Sequence, residues 1–254
     1  MKQDLQRSTR LDDMRATFGA RTVAPEERRQ EVTALFDRIA PRYDLMNDLM
    51  SFGLHRLWKR ATVRLARTRL EGRAGPLIDL AGGTGDLALA LAKADPGREV
   101  IVADASAGML AVARARGGAR LGYLHAEAES LPLPDASVAG VTLAFGLRNM
   151  TDPALALREV ARVLQPGASL ILLEFSRPAP WFAPFYALHS RYVIPLLGAA
   201  IARDKRAYTY LVESIRRFPE AGAIARELDS AGLKVVRARP FMFGVAMLHV
   251  AVRA

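Results

Sequence analysis

Apolar and polar positions along the chain follow two alternating rhythms. Pro76–Leu77–Ile78–Asp79–Leu80 is a short apolar run closed by glycines. Val100–Ala103, Leu121–His125, Ala139–Phe145 and Ser169–Phe175 are further runs with the length and content of buried strands. Between them the period becomes helical, over Leu87–Ala94, Ser106–Arg116 and a stretch running from Thr151–Asp152–Pro153 to Leu164. In the last of these, proline sits just inside an N-cap, Ala156, Val160, Val163 and Leu164 share one face, and Gln165–Pro166–Gly167 stops the helix. Strand and helix alternating in this way predict a parallel, doubly wound α/β sheet. Glu220–Ala231 reads as a last helix stopped by Gly232. Val235–Arg239 and Val245–Val252 read as two closing strands paired at the sheet edge.

Two stretches break the rhythm. Residues 1–70 predict an N-terminal helical cap whose first part is loose, preceding a main domain over 71–254. In the cap, Pro25–Glu26–Glu27 can open a helix, and Val32, Leu35, Phe36 and Ile39 form an apolar face that ends at Pro41. Tyr43–Trp58 interleaves aromatic, polar and methionine residues without a single period, which suits a cover over a pocket. The following helix, Arg56–Leu70, gathers Arg56, Lys59, Arg60, Arg64 and Arg67 on one side and Leu57, Trp58, Ala61 and Leu65 on the other. Such a face suits an anionic membrane surface, or a plain solvated helix. The second break, at about 178–217, is an apolar insertion on the strand ends that carries Trp181, Phe182, Phe185, Tyr186 and Tyr192. Its longest apolar run, near Tyr192–Ala202, is interrupted by Pro195 and Gly198 and is too short for a span of about 20 residues.

The candidate chemistry starts at Gly82–Gly83–Thr84–Gly85, a tight turn between strand and helix at the carboxyl edge of the sheet. Asp104 follows about 20 residues later, where a carboxylate accepts from ribose hydroxyls. Gly83–Thr84–Gly85 with Ala88 also satisfies a relaxed dinucleotide pattern, so NAD is one ligand that fits. Asp79 and Asp86, however, flank the glycines and would repel a pyrophosphate. They would attract the ammonium and sulfonium of S-adenosylmethionine, and charge favours that donor. Further along the edge, Glu127 can meet the adenine amino group beside Ala128. Arg148 and Asn149 bring polar groups to an apolar strand end, where arginine is costly unless it is paired or faces ligand. Arg148 can stabilise a developing phenolate and Asn149 can orient a hydroxyl; the structural alternative pairs Arg148 with Glu174 or Asp152.

Composition narrows the classes. With 254 residues, 51% hydrophobic and 24% charged, the chain has the content of a folded α/β domain with an elaboration. It has no cysteine, which excludes disulfides, thiolate metal sites and cysteine nucleophiles. The four histidines, His55, His125, His189 and His249, form no short-spaced ligand pair, so no metal is expected. A net charge of +10 suits an acidic partner, but no nucleic-acid-binding motif accompanies it, and no nucleic acid is expected. The polar start at Met1–Arg10 carries no signal-peptide pattern, so a cytoplasmic location is expected, with peripheral association at the inner face of the membrane.

Five blocks together resemble the ubiquinone/menaquinone biosynthesis C-methyltransferases, the UbiE/MenG family. They are Tyr43–Trp58, Asp79–Asp86, Phe145–Asp152, Arg162–Gly167 through Glu174–Ser176, and Tyr208–Ile215. The resemblance covers roughly Val32 to His249. It implies a class I methyltransferase (Rossmann-like) fold, with a seven-stranded, mostly parallel sheet whose last strand is antiparallel. It also implies C-methylation of a polyprenylated quinol, demethylmenaquinol or a 2-polyprenyl-6-methoxy-1,4-benzoquinol, with S-adenosyl-L-homocysteine as co-product. The donor site then comprises Asp79, Gly82, Gly83, Thr84, Gly85, Asp104, Ala105, Glu127 and Ala128. Arg148 and Asn149 match positions that assist deprotonation, and Tyr43, Asn47, His55, Tyr186 and Tyr208 face substrate. The apolar insertion would form a channel for the prenyl tail, and a homodimer is compatible with the pattern. Tyr43, Asp44, His55 and His249 are the candidate proton acceptors.

The sequence departs from the family pattern at four positions. Glu127 stands where many members have asparagine and can still accept from an adenine amino group. Ala144 stands where many have serine, and Gln165 and Ala168 replace the usual lysine and glycine.

Overall fold

The computed structural model describes residues 10–193 and 205–254. In chain order, a short hairpin of β1 (Thr17–Phe18) and β2 (Arg21–Thr22) leads into three helices, α1 (Pro25–Ile39), α2 (Tyr43–Ser51) and α3 (Leu54–Leu70). The alternating part follows as β3 (Leu77–Leu80), α4 (Asp86–Ala94), β4 (Val100–Asp104), α5 (Ala107–Gly117), β5 (Gly122–His125), β6 (Val138–Ala144), α6 (Pro153–Val163) and β7 (Leu164–Phe175). The rest comprises α7 (Ala183–Leu188), a π-helical turn over His189–Val193, α8 (Lys205–Arg217), α9 (Ala221–Ser230), β8 (Leu233–Phe241) and β9 (Ala246–Arg253).

Seven strands form one sheet in the order β5-β4-β3-β6-β7-β9-β8. β5, β4, β3, β6 and β7 are parallel, and β9 runs antiparallel to both its neighbours. The chain leaves β3 toward β4 on one side and returns to β6 on the other, so a crevice opens at the carboxyl ends of these strands. All four residues of β3 are buried, as expected of a strand covered on both faces. One face packs under α3, α4 and α5 through Leu70, Leu91 and Leu110; the other packs under α6 and α9 through Leu157, Val160 and Leu228. A third cluster joins α1 and α2 to α5 and α8 through Leu35, Met46, Met109 and Tyr210.

The alternating part matches the sequence pattern closely; the differences lie at the end of α6 and on α3. α1 starts at Pro25, as Pro25–Glu26–Glu27 suggested, where a missing N–H costs nothing. The helix expected to reach Leu164 ends at Val163, because Leu164 already pairs with Val138 and β7 continues through Pro166–Gly167 around a bulge. On α3 the buried stripe is His55, Trp58, Thr62, Ala66 and Leu70, while Leu57 faces solvent and Lys59 turns inward. The expected basic face is therefore narrower: Arg56, Arg60, Arg64 and Arg67 are exposed. From residue 194 to 204 the apolar run lies outside the described residues. Among those described, no helix is long and apolar enough to cross a membrane.

One buried arginine ties the N-terminal helices to the sheet. Arg28 on α1 is 1% exposed and donates to the carbonyl oxygens of Thr17, Arg148 (2.8 Å) and Met150 (3.1 Å). It thereby fixes the loop that follows β6. The Arg28→Met variant leaves these carbonyls without their donor and should lose about 3 kcal/mol or more of stability, measured by urea unfolding.

Candidate active site

The glycine turn after β3 has the geometry that close approach of a ligand needs. A Cβ on Gly82 would lie 2.8 Å from the Asp79 carbonyl oxygen and 2.9 Å from Val102, so no larger residue fits without displacing the strand. Gly85 takes φ +76° as the N-cap of α4, a conformation that L side chains avoid. Ala81 and Phe145, which end β3 and β6, also hold positive φ values of +50° and +59°. Such strain at strand ends clusters where a site is shaped.

A cleft of about 740 Å³, counted out to solvent, opens at these ends between α1, α5 and the loop after β5. Asp104 crosses its floor, accepting from the N–H groups of Gly83 and Ser106, both at 2.8 Å. Its burial raises its pKa, opposed by those two N–H groups. Ala105, Glu127 and Ala128 line the cleft as expected. Val32 and Phe36 on α1 and Met109 on α5 complete an apolar slot that sequence reasoning did not assign to the site. The apolar periodicity of α1 marked Val32 and Phe36; nothing local marked Met109. Glu127 lies 3.7 Å from Arg29 and remains partly exposed.

A smaller recess continues the cleft beneath Tyr43, between Asp79, Gly82, Gly83, Thr84 and Asp86. Asp79 is buried; its Oδ1 accepts from the Thr142 hydroxyl at 2.7 Å, and its Oδ2 is buried with no hydrogen-bond partner. Burial pushes its pKa up to about 7, against the Thr142 bond and the nearby Lys59. The expectation that Asp86 would also face a ligand cation changes here, because Asp86 is paired with Lys59 at 2.8 Å. Thr84 donates to Asp44 at 2.8 Å, and Asp44 in turn pairs with Arg116, so the turn is latched to α2. The recess thus offers one carboxylate oxygen without a hydrogen-bond partner among the described residues, Asp104 lies beside it, and an apolar slot follows. These features fit the ammonium, ribose and adenine of a sulfonium donor.

On the other side of Tyr43 and Phe145 lies an apolar cavity of about 1060 Å³, again counted to solvent. Asn47, His55, Trp58, Arg148, Phe175, Phe182 and Tyr186 are among its walls. Tyr43, Asn47, His55 and Tyr186 are therefore together; the side chain of Tyr208 lies outside what is described. His189, on the turn after α7, also lines the cavity, with Nε2 buried and without a hydrogen-bond partner among the described residues. Only the placement of α7 against Phe52 reveals it, at 5.3 Å between ring centroids.

Arg148 is 3% exposed and takes the structural partner: its Nη1 lies 3.0 Å from Glu174, and the guanidinium sits over the Phe175 ring. Nε is buried without a partner. Asn149 is one residue on but lines the cleft that holds Asp104. It donates to the Phe145 carbonyl at 3.2 Å and accepts from the Tyr210 hydroxyl at 3.1 Å. His249 drops out as a proton acceptor: it sits on β9 opposite Leu172, toward Ala221 of α9, and burial holds its pKa near 4. Asp44 is engaged with Thr84 and Arg116 and does not line the cavity.

A family model described as the ubiE/COQ5 methyltransferase family matches residues 22–253. The Rubrivivax gelatinosus protein named ubiquinone/menaquinone biosynthesis C-methyltransferase UbiE is 52% identical over 238 residues, covering 94% of this chain and 93% of its own. The Bordetella avium protein of the same name is 45% identical over 93% of each chain. Among solved structures, the [4+2]-cyclase SpnF superposes with a TM-score of 0.63 at 19% identity, over 88% of this chain and 95% of its own. A SAM-dependent methyltransferase from Thermotoga maritima superposes with a TM-score of 0.60 at 19% identity, over 88% of this chain and 100% of its own. The fold is that of the class I methyltransferases.

The raised pKa of Asp79 sets the sign of a stability effect. The folded state holds this proton more tightly than the unfolded chain, whose carboxyl titrates near 4. The group's contribution therefore weakens the fold progressively as pH rises from about 4 to about 7. Without ligand, the melting temperature of the wild type relative to Asp79→Asn should fall across that window and level off above it, as read by scanning fluorimetry.

Proposed function

The chain belongs to the ubiE/COQ5 methyltransferase family, an S-adenosylmethionine-dependent C-methyltransferase of ubiquinone/menaquinone biosynthesis, and from that premise we propose that it converts demethylmenaquinol to menaquinol. The observation that carries the choice of ring is the wall of the larger cavity. Trp58, Phe145, Phe175 and Phe182 face it, and its polar groups are few and confined to Asn47, Ser51, His55, Arg148, His189 and two tyrosines. A fused aromatic ring with two hydroxyls and a hydrocarbon tail suits such a wall. A methoxylated benzoquinol, the alternative, places a further polar oxygen against it.

The donor, when bound, supplies a methyl group already activated by its sulfonium. In this reading Asp79 accepts the ammonium, Asp104 accepts from the ribose hydroxyls, and Glu127 accepts from the adenine amino group beside Ala128. Gly82, Gly83, Gly85 and Ala105 leave room for the ligand, and Thr84 keeps α2 closed over it through Asp44. Tyr43 and Phe145 line both compartments, so they flank the path between methyl and ring carbon and exclude water from it. Arg148 brings positive charge to the cavity as a ring hydroxyl ionises. Asn149 holds the Phe145 backbone in its strained conformation.

The tail is read as leaving through the apolar mouth, where Phe52 and Phe185 are 71% and 66% exposed although they also line the cavity. Trp181 and Leu188 are exposed on the same insertion, and Arg56, Arg60, Arg64 and Arg67 form a basic stripe on α3 just after Phe52. Exposed aromatics next to arginines support peripheral binding to an anionic bilayer.

Two measurements test this reading. Methyl transfer to reduced demethylmenaquinone and to the reduced benzoquinone precursor should give a kcat/KM at least tenfold higher for the naphthoquinol; the reverse order would assign the benzoquinol. Vesicles containing an anionic lipid should sediment the protein at low salt and release it as salt rises, and substituting Phe52 and Phe185 together by serine should weaken that binding.

A further inference from the structure

α2 ends on Phe52 in a left-handed conformation, and Gly53 also takes a positive φ, so α3 folds back sharply against α2. That turn brings positions 48 and 55 together. Asp48 Oδ1 accepts from His55 Nε2 at 2.8 Å and from Arg56 Nε at 2.6 Å, while Oδ2 accepts from Arg56 Nη2 at 2.5 Å. The Arg56 bonds hold the Asp48 pKa down at about 2, against a burial cost and with His55 adding to the effect. An ionised carboxylate only accepts, so His55 Nε2 carries the hydrogen and the basic lone pair of the neutral ring lies on Nδ1.

This imidazole is 5% exposed and forms part of the wall of the apolar cavity, with Asn47, Trp58, Phe145 and Arg148. The charged groups around it are Asp48 on α2, Arg56 and Lys59 on α3, Asp86 on α4 and Arg148 after β6. Burial lowers its pKa, Asp48 opposes this, and Lys59 adds to the lowering, so the ring is neutral near pH 7. His189, the cavity's second imidazole, also has a lowered pKa from burial, but among the described residues its Nε2 has no partner to set the tautomer.

We propose that His55 accepts the quinol proton and that Asp48 is a positioning residue, holding the ring's tautomer and stabilising the imidazolium that forms. This rests on the methyltransferase reading above. The quinol O–H bond breaks and its proton passes to Nδ1. The oxygen's electron pair moves into the ring, whose carbon bonds to the methyl as the carbon–sulfur bond breaks with its pair going to sulfur. The hydrogen on that ring carbon then shifts, as a proton, to the ring oxygen, restoring the aromatic quinol. The imidazolium releases its proton to solvent, so one proton leaves per turnover. The carboxylate–imidazole arrangement is the one that activates hydroxyl groups in general-base catalysis.

The test compares pH profiles of kcat/KM for the quinol at saturating donor, where Asp79 is already occupied, with donor-product binding by calorimetry. The wild type should show a one-proton acidic limb with its midpoint below the ordinary histidine value of about 6.5. His55→Gln should lose roughly 100-fold or more in kcat together with that limb, while binding S-adenosylhomocysteine within about twofold of the wild type. Added imidazole should restore part of the rate to His55→Gly, which a purely structural role would not allow. Asp48→Asn should lose about tenfold and move the limb to lower pH, because the carboxylate that raises the ring's pKa is gone. His189→Phe should raise KM and keep the limb. A His55→Gln enzyme with wild-type kcat and an intact limb overturns the proposal, as does loss of the limb in His189→Phe alone. Wild-type protein that binds the donor product but methylates neither quinol overturns the functional reading, and the base with it.

Discussion

A carboxylate is buried at the centre of the sheet with one oxygen left unbonded, and much of the molecule is arranged around that constraint. Asp79 lies on β3 between β4 and β6, where no solvent reaches it, and Thr142 satisfies only one of its oxygens. An unpaired buried carboxylate is among the most unfavourable groups a fold can hold. The nearby Lys59 relieves it only in part, because its ammonium is bonded to Asp86. The charge therefore stays available to a cation arriving from the recess. The donor proposed to bind here carries an ammonium and a sulfonium, and its binding would supply the compensation that folding withholds.

The helices before the sheet turn this constraint into a two-compartment site. α2 is latched to the glycine turn by Asp44 and Thr84 at its start, and to α3 by Asp48 with His55 and Arg56 near its end. One nine-residue helix thus closes the polar recess and walls the apolar cavity. Tyr43 and Phe145 stand where the two compartments meet. A polar donor and an apolar acceptor need opposite surroundings, and a wall shared by the two compartments suits the proposed reaction by keeping those surroundings apart. Arg28 supports the arrangement from behind by fixing the backbone at Arg148 and Met150.

The apolar cavity owes its other wall to the segment that interrupts the alternating pattern. Phe182, Phe185, Tyr186 and His189 from around α7, and Leu211 and Ile215 from α8, face Trp58, Phe145 and Phe175. The aromatic pairs Trp58–Phe145 and Phe145–Phe175 give the ring-binding end defined surfaces, whereas the mouth is built of aromatics half in solvent. This gradient from an enclosed, partly polar end to an open, apolar end matches a molecule with a reactive ring and a long hydrocarbon tail.

By itself, the sequence determined what depends on local pattern. The parallel strands, their helices, the glycine turn and the position of Asp104, Glu127 and Ala128 along the cleft were legible because burial on two faces, backbone conformation and charge each leave a short-range mark. What depends on long-range packing was decided only in three dimensions. Arg148 faced either Glu174 or a ligand until β6 and β7 lay side by side, and Asn149 parted from it because successive side chains on a tight turn diverge. Asp86 was neutralised by a lysine 27 positions earlier, and His249 lost its role to the strand face it occupies. The apolar face of α3 was misplaced by one position at Leu57, since a helix carrying six basic residues has a periodicity that only its neighbours resolve. His55 joined Asp48 through a reversal at Phe52–Gly53 that no periodicity announces, because a turn's hand is set by two backbone angles and its partners by the packing that follows.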